Sequence, residues 1–155
     1  MVIKNKSEKN VMALFNLYRD ELFKQFGKKA LYGDQLTKIG KKLIGTKYVG
    51  TYSQDTIPLN KSGYMIVNTD LVKNSGTHWV AIYSTKTHVY IYDTFGRKSN
   101  KLLTHLTKSA KKINKKIVDS DPDNEQRGLS EVCGILCVSW LLTIKKLGIK
   151  KAILV

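Results

Sequence analysis

The chain has 155 residues, enough to bury one hydrophobic core but too few for two domains, and its 42% hydrophobic and 25% charged residues are typical of a globular protein. Its 27 Lys and Arg against 12 Asp and Glu give a formal net charge of +15, which favours polyanionic partners. No apolar run reaches the ~18 residues of a membrane span, and residues 1–10 are polar and lysine-rich. We therefore expect neither a membrane span nor secretion.

The first part of the chain predicts two helices, a loop and a strand. Residues 7–27 and 34–44 carry apolar side chains at the i, i+3, i+4 spacing of amphipathic helices, and each pattern stops at or just before a glycine. Residues 47–63 contain Gly, Pro, Ser and Asn and are predicted to form a loop. The apolar residues 64–68 predict a buried strand.

Two alternating segments, residues 78–84 and 88–93, predict a β-hairpin that turns around Thr85 and Lys86. The register that pairs Ile82 with Val89 and Val80 with Ile91 places His78 directly opposite Asp93. Directly opposed residues have Cβ atoms roughly 4.5–5.5 Å apart, so the carboxylate would orient the imidazole as a general base. The alternative is a structural His–Asp hydrogen bond at a strand end. The other two histidines lack such a partner and are predicted to lie at the surface: His88 and His105.

Residues 101–116 predict a lysine-rich helix with an apolar face. Six lysines are predicted on the opposite face: Lys101, Lys108, Lys111, Lys112, Lys115 and Lys116. Their like charges repel one another, so phosphate binding is one interpretation and an ordinary solvated face is the other. An acidic loop, residues 119–125, follows.

A buried helix is predicted to begin at Ser130, the N-cap before an apolar run. Cys133 falls in its first turn, where free backbone N–H groups and the helix dipole favour a nucleophilic thiolate. Gly134 beside it would let a substrate approach the backbone closely. The alternative is that Cys133 is one more small buried residue, as we predict for Cys137. The two cysteines are poorly placed for a disulfide and do not form a zinc set.

Together these residues predict a cysteine hydrolase, with Gln126 as a candidate oxyanion donor that sequence spacing alone does not place. The segments GTHWVAIY and YDTFG, followed by Gln126 and the Cys133–Gly134 pair, resemble the motifs of the adenain family, the adenovirus maturation proteases, with relatives in virophages and large DNA viruses. The upstream segments YVGTY and MIVNTD extend the resemblance to residues 36–142. More distantly, the pattern is similar to SUMO and ubiquitin-like-protein proteases.

The resemblance implies one α+β cysteine protease domain over residues 1–155, of the papain-like, adenain-like type, with a central, mostly antiparallel sheet packed against the nucleophile helix. It implies His78 as the base, Asp93 as the residue that orients it, Gln126 as the oxyanion donor and Cys133 as the nucleophile. It also implies a narrow substrate channel beside Trp79 and cleavage next to glycine in viral capsid or core precursors.

The resemblance also suggests partners and a location. The chemistry needs no metal or other cofactor, whereas DNA and a peptide activator are candidate cofactors. Residues 116–125 contain no cysteine, so the disulfide-linked activator peptide of the adenain family would here have to bind non-covalently. We expect protein substrates and DNA as partners, no membrane, a monomer, and a location in the virion and the infected-cell interior.

Two other functions stay open. One is a protease that removes ubiquitin-like modifiers, which agrees with Asp93 at a position where adenain has Glu. The other is a catalytically inert, basic DNA-binding packaging protein.

Overall fold

The computed structural model describes residues 6–71, 78–120 and 132–155. The helices are α1 (Lys6–Phe26), α2 (Gly33–Leu43), α3 (Ser99–Leu102), α4 (Thr104–Lys112), α5 (Cys133–Leu147) and α6 (Ile149–Ala152). The strands are β1 (Tyr48–Ser53), β2 (Gly63–Asn68), β3 (Trp79–Ser84), β4 (His88–Tyr92) and β5 (Lys116–Asp119). The predicted α+β class is confirmed, as are the two N-terminal helices and the strand at residues 64–68.

The five strands form one sheet in the order β1-β2-β3-β4-β5. β3 runs antiparallel to both neighbours, whereas β1 pairs with β2, and β4 with β5, in parallel. The prediction of a mostly antiparallel sheet was therefore wrong, since half of the strand pairs are parallel. We call the end of the sheet where β3 begins the front end, and the end where β3 stops the back end.

Helices cover both faces of the sheet. On one face, the buried side chains of α1, α2, α5 and α6 form a core with inward-facing residues of the first four strands. On the other face, α4 and residues 57–59 pack against the alternate residues of β2, β3 and β4. Most of α5 is buried, from Cys133 to Leu141 without interruption. The apolar run that predicted this helix thus lies at the centre of the larger core.

The loop predicted over residues 47–63 is wrong in its first part, where the structure has strand β1. The pairing of β1 with β2 is interrupted by a bulge between Tyr48 and Gly50, and the last three side chains of β1 are all half-buried, so the sequence lacks a clear alternation. The Tyr48 ring is buried, and its hydroxyl hydrogen-bonds with Thr51 at 2.6 Å. Of the residues that suggested a loop, Gly50 and Ser53 lie within the strand, whereas Pro58, Asn60 and Ser62 lie after it.

The β3–β4 hairpin forms, but its register differs from the predicted one by two residues. Ile82 pairs with Ile91 and Ser84 with Val89. The cause is a tight turn one residue later than predicted, in which the Thr85 hydroxyl accepts hydrogen bonds from the backbone N–H groups of residues 87 and 88. A shift by two residues keeps every side chain on its predicted face, because side chains alternate with a period of two.

The single helix predicted over residues 101–116 is also corrected. The helix breaks at Leu103 (φ −125°, ψ 59°), which turns its side chain into the core between α3 and α4. It ends at Lys112, and Asn114 then adopts a positive φ of 57°, a conformation that Asn tolerates better than most residues. Lys116 begins β5 instead of closing a helix.

Across these described residues, no helix is both long and apolar enough to cross a membrane.

Candidate active site

The candidate nucleophile, Cys133, is the first residue of α5, so it lies in the first helical turn as predicted. Its thiol is buried beside the start of β3, where the backbone N–H of Trp79 donates to Sγ at 3.5 Å. The start of α5 and the start of β3 thus meet at the sulfur. The N–H groups in the first turn of α5, which have no acceptor within the helix, lie next to it. The predicted N-cap, Ser130, lies outside the described residues.

His78 immediately precedes β3 and places its ring between Cys133 and Asp93. Nε2 of the ring lies 2.6 Å from Oδ1 of Asp93, and the Cys133 side chain is close enough to the ring to raise the pKa of His78. Since Nε2 faces the carboxylate, Nδ1 is the nitrogen left to face the thiol. The structure therefore brings together the three side chains on which the hydrolase prediction depends.

Asp93 reaches His78 by a different route from the predicted one. In the observed register Asp93 follows the end of β4 and is not directly opposite His78. It starts a tight turn in which the Gly96 N–H donates to the Asp93 carbonyl at 2.9 Å. The contact was correctly predicted, but the strand pairing used to derive it was wrong.

The pKa values of the histidine and the aspartate shift in opposite directions. Burial alone would lower the pKa of His78, but hydrogen bonds to Asp93 and Cys133 outweigh it and raise the pKa above its usual value. Burial would raise the pKa of Asp93, but hydrogen bonds from His78 and Arg97 lower it to about 2. The carboxylate therefore stays ionised and favours the imidazolium form of His78.

Arg97 completes the arrangement and was not predicted from the sequence. Its Nε donates to Oδ2 of Asp93 at 2.9 Å, its backbone N–H donates to the same oxygen at 3.0 Å, and Nη2 lies 3.4 Å from Oδ1. Its guanidinium also lies over the Phe95 ring, 5.0 Å from the centroid, and that ring lies 5.2 Å from the His78 ring. The sequence signal that could have found Arg97 is its position four residues after Asp93, with Gly96 between them in a turn.

Trp79 lies beside a cleft, as the resemblance implied. Its indole N–H donates to the Leu31 carbonyl at 3.0 Å, and its ring packs so closely on Gly33 that a Cβ there would lie 3.4 Å from it. The cleft has a volume of about 430 Å³. Its lining is uncharged: Tyr32, Gly33, Thr51, Tyr52, Ser53, Thr56, Asn68 and Trp79.

Gly134 has a different explanation from the one predicted. It is buried, and a Cβ at this position would lie 3.1 Å from a methyl carbon of Leu36 and 3.5 Å from Leu31. The group that approaches its backbone closely is therefore the protein's own α2. The glycine lets α2 pack against α5.

Two further predictions concern the remaining polar and sulfur-containing residues. Gln126 lies outside the described residues, so its role as an oxyanion donor stays a prediction. Cys137 is fully buried in the core, as predicted, and both cysteines are free. Among the described side chains, no group of three or more His, Cys, Asp or Glu could hold a metal ion.

The predicted lysine surface is only partly present. Lys101, Lys108, Lys111 and Lys112 are exposed on α3 and α4, and Lys116 is exposed at the start of β5.

The prediction that Lys115 belongs to the exposed lysine face is wrong, because Lys115 is buried. Its ammonium group donates to the Leu59 carbonyl and to the Ser84 hydroxyl, and burial lowers its pKa. The predicted helix would have pointed this residue to solvent. In the structure it precedes β5 and points inward.

The two other histidines lie away from Cys133. His105 is exposed, as predicted, whereas His88 is half-buried and stacks on Tyr90 with ring centroids 5.6 Å apart.

No protein-family model matches the sequence, and no curated protein matches it significantly. The geometry around Cys133 is therefore the main basis for a functional proposal.

Proposed function

We propose that the protein is a cysteine endopeptidase. The observation that carries the proposal is the position of the His78 ring between the Asp93 carboxylate, 2.6 Å away, and the Cys133 thiol at the start of a buried helix. A buried, purely structural cysteine would not need an imidazole whose other nitrogen is held by an ionised carboxylate. This arrangement is the one that nucleophilic catalysis by a thiol requires.

In the proposed mechanism, Nδ1 of His78 takes the Cys133 proton as the sulfur attacks the carbonyl carbon of the scissile peptide. The backbone N–H of Cys133, with Gln126 as the proposed second donor, stabilises the oxyanion. His78 then protonates the leaving amine as the C–N bond breaks and a thioester forms. A water molecule, deprotonated by His78, hydrolyses the thioester and frees the thiol. Asp93 remains ionised throughout.

The cleft beside Trp79 supports a preference for small, uncharged residues in the substrate. The indole ring narrows the space over Gly33, and none of the lining side chains is charged. Together with the resemblance to adenain, this leads us to propose a papain-like, adenain-like viral protease that cleaves capsid or core precursors next to glycine. DNA, and a non-covalently bound peptide, are proposed to assist it within the virion and the infected cell.

The test is cleavage of short Gly-containing peptides and of candidate virion proteins, with mass spectrometry of the new termini. Cys133→Ala should abolish cleavage while the protein stays folded. Cys137→Ala, which removes the other thiol one turn along the same helix, is the matched control and should retain activity. Turnover by the Cys133→Ala variant would refute the assignment of the nucleophile.

The same assay separates the proposal from its alternatives. Cleavage after the Gly-Gly tail of a folded ubiquitin-like modifier, with short Gly-containing peptides left intact, would favour a deconjugating protease. Binding of DNA without cleavage of any of these substrates would favour an inert packaging protein.

A further inference from the structure

We propose that the back end of the molecule is a docking surface for double-stranded nucleic acid, centred on a recess between Lys47 and Lys86. The inference extends the DNA part of the proposed function. The surface shares Lys111, Lys112 and Lys116 with the predicted helix face but is centred elsewhere. It does not depend on peptidase activity, because charge and topology alone carry it.

The sheet topology gathers basic segments at the back end. β1, β2, β4 and β5 begin there and β3 stops there, as the pairs Tyr48–Tyr64, Gly63–Ser84 and His88–Lys116 show. The segments at this end are residues 41–48, 61–64, 84–88, 111–116 and 145–146. Each segment contains at least one Lys, and none contains Asp or Glu.

Hydrogen bonds between elements confirm that these segments are neighbours. The Lys145 ammonium group donates to the Leu43 carbonyl at 3.1 Å, which joins the C-terminal ends of α5 and α2. The Lys116 backbone N–H donates to the Thr87 carbonyl at 2.9 Å, which joins β5 to the β3–β4 turn. Apart from the buried Lys115, the lysines of the five segments are exposed. Their charges therefore form one continuous surface.

A recess of about 310 Å³ lies within this surface. Lys47 and Lys86 both line it, and Ser62 and Tyr83 contribute hydroxyl groups. No carboxylate lines it. Ammonium and hydroxyl groups are the side-chain donors that proteins use to contact phosphate oxygens. The recess therefore fits one phosphate group, and the surrounding lysines fit the phosphates on either side of it.

The surface matches a nucleic acid better than a membrane. Interfacial membrane binding uses a broad apolar face next to basic residues. Among the described residues the exposed large apolar side chains are Leu17, Tyr32 and Ile113, and only Ile113 lies at the back end. A surface with many lysines and one exposed aliphatic side chain is typical of binding driven by phosphate contacts and counterion release.

The position of this surface has a consequence for the candidate active site. β3 runs from Trp79, next to the Cys133 thiol, to Ser84, at the recess. At 3.2–3.4 Å per residue the two sites are roughly 16 Å apart. A duplex bound at the back end would thus leave the catalytic cleft open to protein substrates.

The test compares two variants with the same change in net charge. The back-end variant carries Lys47→Gln, Lys86→Gln, Lys145→Gln and Lys146→Gln. The control carries Lys29→Gln, Lys38→Gln, Lys98→Gln and Lys101→Gln, four lysines that are exposed elsewhere. Binding of a fluorescent 20-base-pair duplex of arbitrary sequence is measured by anisotropy at several salt concentrations, with vesicles containing phosphatidylserine as a parallel probe.

We expect the back-end variant to bind the duplex at least 10-fold more weakly, with a salt slope shallower by about 0.9 for each phosphate that the variant no longer neutralises. The control should bind less than about threefold more weakly, and both variants should retain the wild-type rate of peptide cleavage. Equal weakening in both variants would overturn the proposal, because net charge alone would then explain binding. Vesicle binding without duplex binding would overturn it in favour of a membrane surface.

Discussion

Arg97→Ala should reduce peptide cleavage without abolishing it. The substitution removes the donors Nε at 2.9 Å and Nη2 at 3.4 Å from Asp93 but keeps the backbone N–H at 3.0 Å. A hydrogen bond to a charged group contributes about 1.5–3 kcal/mol. Since the Arg97 side chain is 46% exposed, solvent screening reduces this to about 1 kcal/mol. If that energy holds His78 in its reactive orientation, kcat should fall roughly fivefold.

The pH dependence tells an electrostatic role from a structural one. Without the guanidinium charge, Asp93 attracts the His78 imidazolium more strongly, so the pKa of His78 should rise. Because His78 acts as a base in its neutral form, the acidic limb of the kcat profile should move to higher pH. Arg97→Lys keeps the charge but offers a less specific donor, so it should show an intermediate kcat and the wild-type pH limb. Asp93→Asn, which removes the carboxylate itself, should lower kcat by on the order of 10³–10⁴-fold.

The assay is cleavage of a fluorogenic Gly-containing peptide between pH 5 and 10, with kcat and KM determined separately and thermal unfolding measured for each variant. KM should change little, because Arg97 acts through Asp93 and does not line the cleft beside Trp79. Wild-type kcat and an unchanged pH profile in Arg97→Ala would refute the reasoning, even if the variant were less stable. The backbone N–H alone would then suffice to hold the carboxylate.

Three other expectations concern ionisation and exposure. Because the pKa of Asp93 is lowered to about 2, its contribution to the free energy of unfolding is present above pH ~4 and is lost as the pH falls towards 2. Chemical denaturation of wild type and Asp93→Asn should therefore differ by about 2 kcal/mol more at pH 5 than at pH 2, and a constant difference would contradict this. Cys133 should alkylate much faster than Cys137 near pH 6, since burial raises the pKa of Cys137 well above its usual value, and equal rates by mass spectrometry would argue against a reactive Cys133. Lys115 should resist acetylation in the folded protein while Lys116 reacts, and similar labelling of both would place Lys115 at the surface.

The parts of the fold that the sequence predicts well are those with uninterrupted periodicity. The helix that begins at Cys133 and the helix at the N-terminus have long apolar patterns that no proline interrupts. β1 was missed because a bulge lies between Tyr48 and Gly50 and because the last three side chains of the strand are all half-buried. The helix predicted through residue 116 was too long because the pattern gives no indication that Leu103 leaves the helix to reach the core.

The candidate site was predictable in its members but not in its geometry. His78 and Asp93 could be paired because each stands at the end of an alternating segment, and an error of two residues in register kept them on the same face of the sheet. Arg97 and Phe95 could not be assigned, because their contacts depend on the tight turn after Asp93. The packing role of Gly134 depends on Leu36 of α2, which lies about 100 residues away in the sequence.

The basic surface at the back end could not be predicted for the same reason, because its lysines are far apart in the sequence. Lys47, Lys86 and Lys145 belong to three separate segments, and only the sheet topology makes them neighbours. A search for local runs of charge finds the lysines near residue 110 and overlooks the larger surface. It also includes Lys115, whose inward direction is set by Leu59 and Ser84.

Cys133, the proposed nucleophile, is the first residue of α5, the most buried of the described helices. A catalytic group on a surface loop can lose its geometry while the rest of a domain remains intact, but the nearby Val132 and Ile135 belong to the larger core, in which Trp140 of the same helix stacks on Tyr92. Thermal inactivation and global unfolding should therefore occur at the same temperature. Substitutions that tighten the packing of the core around α5 would therefore also move the Cys133 sulfur.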